Sequence, residues 1–251
     1  MLGPMPATAT EPKTKILRHS ALVRVTHWLT FVSFALLLLT GLEIVVSHPR
    51  FYWGETGNVN MKPLFVIPIP ASRDTVPTGY GYMMPDQNGW SRYLHFEMAW
   101  VLVLTGLLYV FVSLLNGHFR KEIFPARSQR SLQAVFERFK VYLRRTPADP
   151  AEVRSYNIFQ RWAYITVIFV LFPLIIWTGL ALSPSFNAAF PYAVNILGGR
   201  QSARTLHFFV TWAVVLFFLV HVTMVALSGF RSRMAAMITG RITAPDEKEV
   251  R

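Results

Sequence analysis

Long runs of apolar residues, separated by polar and basic stretches, dominate the chain. Each of four runs is long enough to cross the hydrocarbon core of a bilayer, which takes roughly 20 residues of helix. Glu43 is the only acid inside these four runs; Glu97 lies just before the second run, whose helix is predicted to begin near Arg92. The pattern predicts an all-α membrane protein, a four-helix transmembrane bundle over residues 25–230. The runs are Val25–Val46, Met98–Asn116, Trp162–Leu182 and Thr205–Phe230. The polar residues 1–20 do not resemble a cleavable signal.

Two of the connections between these runs carry structure of their own. Residues 47–91 form a loop of 45 residues rich in Pro, Gly and aromatic side chains. Loops of this length are usually binding elements or disordered, and the many aromatic residues favour a binding element. In the loop 117–161, the stretch Ser131–Arg145 has an apolar helical face, which predicts a helix lying in the membrane interface. A solvated basic loop is the alternative.

The distribution of Lys and Arg predicts the orientation. Residues 1–24, 117–161 and 231–251 hold four, ten and five of them, whereas residues 47–92 and 183–204 hold four and two. Basic residues concentrate on the cytoplasmic side, so both terminal segments and the central loop are predicted to be cytoplasmic. The net charge of +12 follows this topology and forms no nucleic-acid-binding patch.

Composition narrows the chemistry. The chain is 53% hydrophobic and 15% charged, which excludes an ordinary soluble domain, and it has no cysteine. Iron–sulfur clusters, covalently attached c-type haem and disulfides all require cysteine. A redox cofactor in this chain must therefore be held by His or Met.

Four histidines lie in or at the mouth of an apolar run, where an ionisable group is costly and usually functional. His207 and His221 share the fourth run, 14 residues apart, which puts them ~21 Å apart along the helix and on nearly the same face. The predicted topology places His95 level with His207 near the outside, and His27 level with His221 near the cytoplasm. Two bis-imidazole sites at two depths suit two b-type haems, held non-covalently, that carry electrons. Taken singly, each histidine could equally hydrogen-bond between helices.

Glycines recur in a repeated motif. Leu-Thr-Gly-Leu occurs at 39–42 and 104–107, and Trp-Thr-Gly-Leu at 177–180. Gly41 and Gly179 fall near the outer level and Gly106 near the inner one, where a glycine lets a flat macrocycle approach the backbone. Helix–helix packing through small residues is the alternative.

Three arginines each precede a candidate ligand by three residues. Arg24, Arg92 and Arg204 could neutralise haem propionates or serve as interfacial anchors. The remaining histidines, His19, His48 and His118, are predicted to be surface or headgroup residues.

These features resemble the bacterial two-haem cytochrome b family of respiratory enzymes, which includes the cytochrome b subunits of nickel–iron hydrogenase, formate dehydrogenase and thiosulfate reductase. The likeness runs from Arg18 to about Arg241. Its most specific pieces are the paired histidines of the fourth run, Arg-x-x-His-Trp at Arg24–Trp28, and Tyr-Asn-x-x-Gln-Arg at Tyr156–Arg161.

The resemblance implies a subunit of the bacterial inner membrane whose ligand pairs are His27 with His221 and His95 with His207. It also implies a quinone site near the cytoplasmic haem, bordered by Asn157 and Gln160; in the alternative, Asn157 caps a helix. The long loop 47–91 departs from the shorter relatives. It favours, by resemblance, a molybdenum-cofactor oxidoreductase as the outer redox partner.

Two other classes of function remain. A haem-free transporter could use intramembrane histidines for protons or metal ions, although the inverted repeats and broken helices usual in transporters are not found in the sequence. A stand-alone transmembrane reductase would need a substrate pocket in the outer loop.

Overall fold

Four long helices form the bulk of the protein. The structure is a computed structural model, and it describes residues 15–58, 60–68, 87–125, 158–227 and 229–243, with five residues of the central loop (131, 133, 136, 137 and 140). All four helices are long and apolar enough to cross a membrane. The predicted four-helix membrane architecture is therefore confirmed, and each helix begins four or more residues earlier than the apolar run suggested. The helices are Ala21–Ser47, Gln87–Leu115, Ile158–Ala181 and Arg200–Leu227, called first to fourth below.

The third helix is interrupted by one wide turn. It runs as α-helix over Ile158–Thr166, as π-helix over Val167–Leu171, and as α-helix again over Phe172–Ala181. Pro173 stands just after the π turn and has no N–H to donate to the preceding turn. The wider turn accommodates the proline inside a helix that continues across the hydrocarbon.

Small polar side chains lie inside the bundle and large apolar side chains lie outside. In lipid, helices gain little by hiding apolar surface from one another, and close packing of small residues holds them together. Large side chains such as Leu104 and Leu216 face outward. The buried polar residues are Thr26, Ser33, Thr40, Ser91, Thr105, Ser113, Thr178, Ser202 and Thr205.

A two-stranded hairpin from the loop 47–91 packs on the start of the fourth helix. Its strands, Arg50–Phe51 and Phe65–Val66, pair antiparallel, and we call them the outer hairpin. Two hydroxyl side chains of the fourth helix hold the backbone beyond the first strand: Thr205 Oγ1 donates to the Tyr52 carbonyl at 2.7 Å, and Ser202 Oγ accepts from the Gly54 N–H at 2.7 Å. This part of the predicted outer loop is ordered and forms a cover over one end of the bundle.

Two short helices, Pro184–Ala189 and Pro191–Asn195, connect the third helix to the fourth. The connection closes through Gly199, whose φ of +99° favours glycine. A Cβ at Gly199 would also lie 2.8 Å from the backbone of Glu55. The Glu55 carboxylate accepts from the Arg200 N–H at 3.0 Å, which places a negative charge at the N-terminus of the fourth helix.

At the opposite end, the two terminal segments meet. Strand Lys15–Leu17 pairs antiparallel with Arg241–Thr243, and we call these the terminal strands. Phe230–Thr239 forms a short tail helix that ends at Gly240, where φ is +81°. The pairing places both described ends of the chain on the same side of the bundle.

The central loop is described only in part. A π turn, Phe119–Ile123, follows the second helix, and Arg161 at the start of the third helix donates to the Phe124 carbonyl at 2.9 Å. The predicted interfacial helix Ser131–Arg145 lies mostly outside the described residues. Within it, Lys140 forms an ion pair with Glu137 at 3.0 Å.

Candidate functional site

The four intramembrane histidines form two facing pairs. The rings of His95 and His207 have centroids 6.3 Å apart, and those of His27 and His221 are also 6.3 Å apart. The ring planes are inclined at 68° and 53° respectively. Because the fourth helix supplies one member of each pair, the two sites lie at different depths. The end carrying His95 and His207 is called the outer end here, after the predicted orientation.

The distance between the ring centroids distinguishes a direct hydrogen bond between the two imidazoles from a metal ion bound between them. A direct N–H···N bond of about 2.9 Å would bring two imidazole centroids to about 5 Å. Two imidazoles on opposite sides of one metal, with bonds of about 2.0–2.1 Å, have centroids about 6.3–6.5 Å apart. The observed 6.3 Å is too long for the hydrogen bond and matches the metal site. Both pairs therefore fit a haem iron between the rings.

A threonine contacts each histidine of the outer pair. Thr40 Oγ1 of the first helix lies 2.9 Å from Nδ1 of His95 on the second, and Thr178 Oγ1 of the third lies 3.0 Å from Nδ1 of His207 on the fourth. Both threonines are buried. The sequence analysis missed these two residues, although the repeated Thr-Gly dipeptide was a signal for them.

The direction of these hydrogen bonds follows from the carbonyls beside them. Thr40 Oγ1 is 2.7 Å from the Leu36 carbonyl, and Thr178 Oγ1 is 2.8 Å from the Leu174 carbonyl. A carbonyl can only accept, so each hydroxyl proton is used there and the hydroxyl lone pair accepts from Nδ1–H. Nε2 of each outer histidine is then unprotonated and available as a metal ligand.

The glycine after each threonine makes room for the imidazole. A Cβ at Gly41 would lie 3.4 Å from Cε1 of His95, and one at Gly179 would lie 3.2 Å from Cε1 of His207. The Thr-Gly dipeptide thus acts as one unit, in which threonine accepts the hydrogen bond and glycine admits the ring. In the third copy of the motif, a Cβ at Gly106 would meet open space.

The inner pair is built differently. Nδ1 of His27 is buried without a hydrogen-bond partner among the described residues. The ring of His221 stacks on Phe217, with centroids 5.8 Å apart and planes inclined at 20°. Among the described residues, aromatic side chains and no threonine acceptor surround the imidazoles at this level.

Two of the three candidate arginines are engaged by backbone carbonyls. Arg24 donates to the Ile238 carbonyl at 2.6 Å, and Arg204 donates to the carbonyls of Arg50, at 2.9 Å, and of His48. These contacts make Arg24 an anchor of the tail helix and Arg204 an anchor of the outer hairpin. Arg92 is exposed near the start of the second helix.

The motif Arg-x-x-His-Trp has a structural explanation. Trp28 donates to the Met237 carbonyl at 3.2 Å, next to the carbonyl bound by Arg24, while His27 faces the fourth helix. A Cβ at Gly240 would lie 2.9 Å from the His19 carbonyl, so the absence of a side chain at Gly240 lets the end of the tail helix pack against the segment before the first helix. The motif fastens the tail helix beside the inner histidine pair.

The three flanking histidines, His19, His48 and His118, which were predicted to be surface or headgroup residues, are half-buried. Burial, with Arg18 beside it, lowers the pKa of His19 to about 4, so its imidazole is neutral at pH 7. Burial also lowers the pKa of His48, with a further contribution from Arg204, and burial lowers the pKa of His118. The Tyr109 ring lies beside His118, with centroids 6.1 Å apart.

Of the two predicted quinone-site residues, one is described. Gln160 is half-buried in the first turn of the third helix, at the end of the bundle where the first helix also begins. Asn157 lies outside the described residues.

Comparison with known proteins points to one family. The family model described as prokaryotic cytochrome b561 matches residues 18–240. A putative protein-methionine-sulfoxide reductase subunit, YedZ1 of Azospira oryzae, is 31% identical over 222 residues, which cover 88% of this chain and 96% of that protein. A probable Ni/Fe-hydrogenase B-type cytochrome subunit of Cupriavidus necator is 23% identical over 240 residues, 91% of this chain and 87% of that one.

Proposed function

The chain belongs to the prokaryotic cytochrome b561 family, and from that premise we propose that it is a two-haem subunit carrying electrons between an outer redox partner and the quinone pool. The family establishes a multi-pass bacterial membrane protein and an electron-transfer cytochrome of the b type. The observation that carries the finer proposal is the pair of facing imidazole sites, each with the ring separation of a bis-imidazole metal site.

His95 and His207 would hold the outer haem, and His27 and His221 the inner one. Held by two imidazoles, each haem would supply reversible one-electron transfer and would leave no iron position for a substrate. The chain has no cysteine, so both groups would be held without a covalent tether. The helices contribute ligand orientation, exclusion of water and a fixed distance between the two depths.

The orientation proposed for this wiring places both termini in the cytoplasm. Nineteen Lys and Arg residues lie in segments 1–24, 117–161 and 231–251, and six lie in the two connections of the other side. The terminal strands support a common side for the two ends. The inner pair then lies nearer the cytoplasm, and the outer hairpin lies on the far side.

An outer redox subunit is the proposed partner. The two relatives are named as a subunit of a putative protein-methionine-sulfoxide reductase and as a subunit of a Ni/Fe-hydrogenase. Both names support a companion enzyme, and a molybdenum-cofactor oxidoreductase remains our proposal for its class. Affinity purification from the native membrane, followed by identification of the co-purifying subunit and its metal content, tests this; a protein that purifies alone with reductase activity would favour the stand-alone reductase.

The first test of the proposed function is the haem content. We expect about two haems per chain, low-spin in a reduced-minus-oxidised spectrum and extractable by acidic organic solvent because no cysteine tethers them. A haem-free transporter predicts no chromophore. It would also need three or four donors for a divalent metal, and no such group of His, Asp or Glu occurs among the residues that the structure describes. One haem per chain would contradict the two-site assignment.

We place the quinone at the cytoplasmic end, where Asn157 and Gln160 would bind its oxygens. Gln160 lies in the first turn of the third helix, at the same end of the bundle as His27 in the first helix. Arg161, the next residue, ties this end to the turn after the second helix through the Phe124 carbonyl. At this end of the bundle a quinone would have amide hydrogen-bond donors, access to protons and a position close to the inner histidine pair.

Gln160→Ala tests the quinone site. Loss of one hydrogen bond of about 0.5–1.5 kcal/mol should weaken quinone binding roughly two- to tenfold while both haem spectra persist. The measurement is the rate of inner-haem oxidation by quinone as a function of quinone concentration, with Asn157→Ala as a second variant. Gln201→Ala, a glutamine at the opposite end of the bundle, is the control. Slower exchange in the Gln201 variant alone would place the quinone at the outer end.

A further inference from the structure

The two histidine pairs differ in the surroundings of their second ring nitrogens. In the outer pair each Nδ1 meets a buried threonine hydroxyl, at 2.9 Å for His95 and 3.0 Å for His207. In the inner pair, Nδ1 of His27 is buried and no described residue accepts from it. The helices therefore support the ligands of one site with a hydrogen bond that His27 lacks at the other.

The two threonine–histidine contacts share one arrangement, which argues against an accidental contact. Each threonine stands on the helix preceding that of its histidine, directs its proton to the carbonyl four residues back, and is followed by a glycine beside the ring. The arrangement occurs once in the first two helices and once in the last two. Because it joins different helices at the same level, it constrains both outer ligands in the same way.

We propose that Thr40 and Thr178 are positioning residues that set the tautomer and the donor strength of His95 and His207. The inference rests on the proposed function, in which each pair holds a haem. An acceptor on Nδ1–H fixes the tautomer and ring orientation of a ligating histidine and raises its basicity. A more basic imidazole stabilises the oxidised, more positively charged iron, so the two threonines lower the reduction potential of the outer site.

Removing the acceptors should raise the potential of the outer site alone. Thr40→Val and Thr178→Val keep the shape of each side chain and remove the hydroxyl. For the double variant we expect a change of about tenfold in the reduction equilibrium constant of the outer component, which is about 59 mV for one electron. The measurement is an equilibrium redox titration followed by optical spectra, with each component assigned by its loss in His207→Ala or His221→Ala.

The chain offers matched controls. Thr105 is a buried threonine in the second Leu-Thr-Gly-Leu copy, where no contact with a histidine accompanies it in the described part of the chain, and Thr105→Val should leave both potentials unchanged. Thr40→Ser and Thr178→Ser retain the hydroxyl and should restore the wild-type potential. A merely structural role for the threonines would move neither potential selectively.

Each outcome of the redox titration either supports or overturns the proposed role of the two threonines. A selective rise in the outer potential, or selective loss of the outer component that serine restores, supports the proposal. An unchanged outer potential in a double variant that retains both haems overturns it, as does an equal effect on the two components. Failure of the underlying function appears separately, as an unmodified protein without two haems.

Discussion

Replacing His207 with alanine should remove the outer haem component from the spectrum and leave the inner component in place. His207 and His95 face one another at 6.3 Å, and no other histidine contributes to that pair. With one of its two histidines removed, the outer site would lose its haem or hold it in a high-spin form, and the outer haem would be about half of the haem bound by the chain. His221, 14 residues further along the same helix, is ~21 Å away and should retain its own site.

The complementary variants make the pairing testable. His95→Ala should give the spectrum of His207→Ala, and His27→Ala should give that of His221→Ala. Low-temperature reduced-minus-oxidised spectra and haem content per chain measure both. Loss of the same component from the His27 and His207 variants would mean that the pairs are wrongly assigned, and loss of both components from any one variant would point to a general folding defect.

Phe51→Ala should loosen the outer hairpin and selectively weaken the outer haem. Phe51 is 1% exposed, and its ring packs against Phe65 at 4.7 Å and Phe208 at 4.6 Å between centroids. The Arg204 guanidinium lies 4.7 Å from the same ring. Truncating a buried phenylalanine costs about 3–5 kcal/mol. Here the lost free energy would weaken the packing of the outer hairpin against Phe208, the residue next to His207.

The expected readout is a lower temperature for release of the outer component, with release of the inner component unchanged. Trp53→Ala is the matched control, because Trp53 is an aromatic residue of the same loop that is 58% exposed; exposed substitutions usually change stability by about 0.5 kcal/mol or less. Equal release temperatures for the two components in the Phe51 variant would show that the hairpin does not protect the outer site.

Span number, span position and the level of each histidine could be predicted from the sequence because the membrane imposes a length and a polarity on every crossing segment. The structure brings together the same histidines that helix periodicity and topology pair. The helix ends were less predictable. The fourth helix begins at Arg200, five residues before the apolar run, because Glu55 from a distant loop caps it.

The roles of threonine and arginine could not be derived in the same way. A threonine in an apolar helix is ordinary, and only the contact across helices distinguishes Thr40 and Thr178 from Thr105. Arg204 three residues before a ligand suggested a charge near a propionate, yet its partners are carbonyls of a segment about 150 residues earlier in the chain. Every residue has a backbone carbonyl whatever its side chain, so a contact with such a carbonyl cannot be predicted from residue types.

The position of two ligands on the last spanning helix has a consequence for biosynthesis. Neither imidazole pair exists in a nascent chain until residues 200–227 have left the ribosome and entered the bilayer. Until then His27 and His95 lack their partners on the fourth helix. The terminal strands close later still, since Arg241–Thr243 follow the fourth helix in the chain. Under the proposed function, haem would therefore bind only after the fourth helix is inserted, and a ribosome stalled before that helix would leave a membrane-inserted fragment with no complete site for either cofactor.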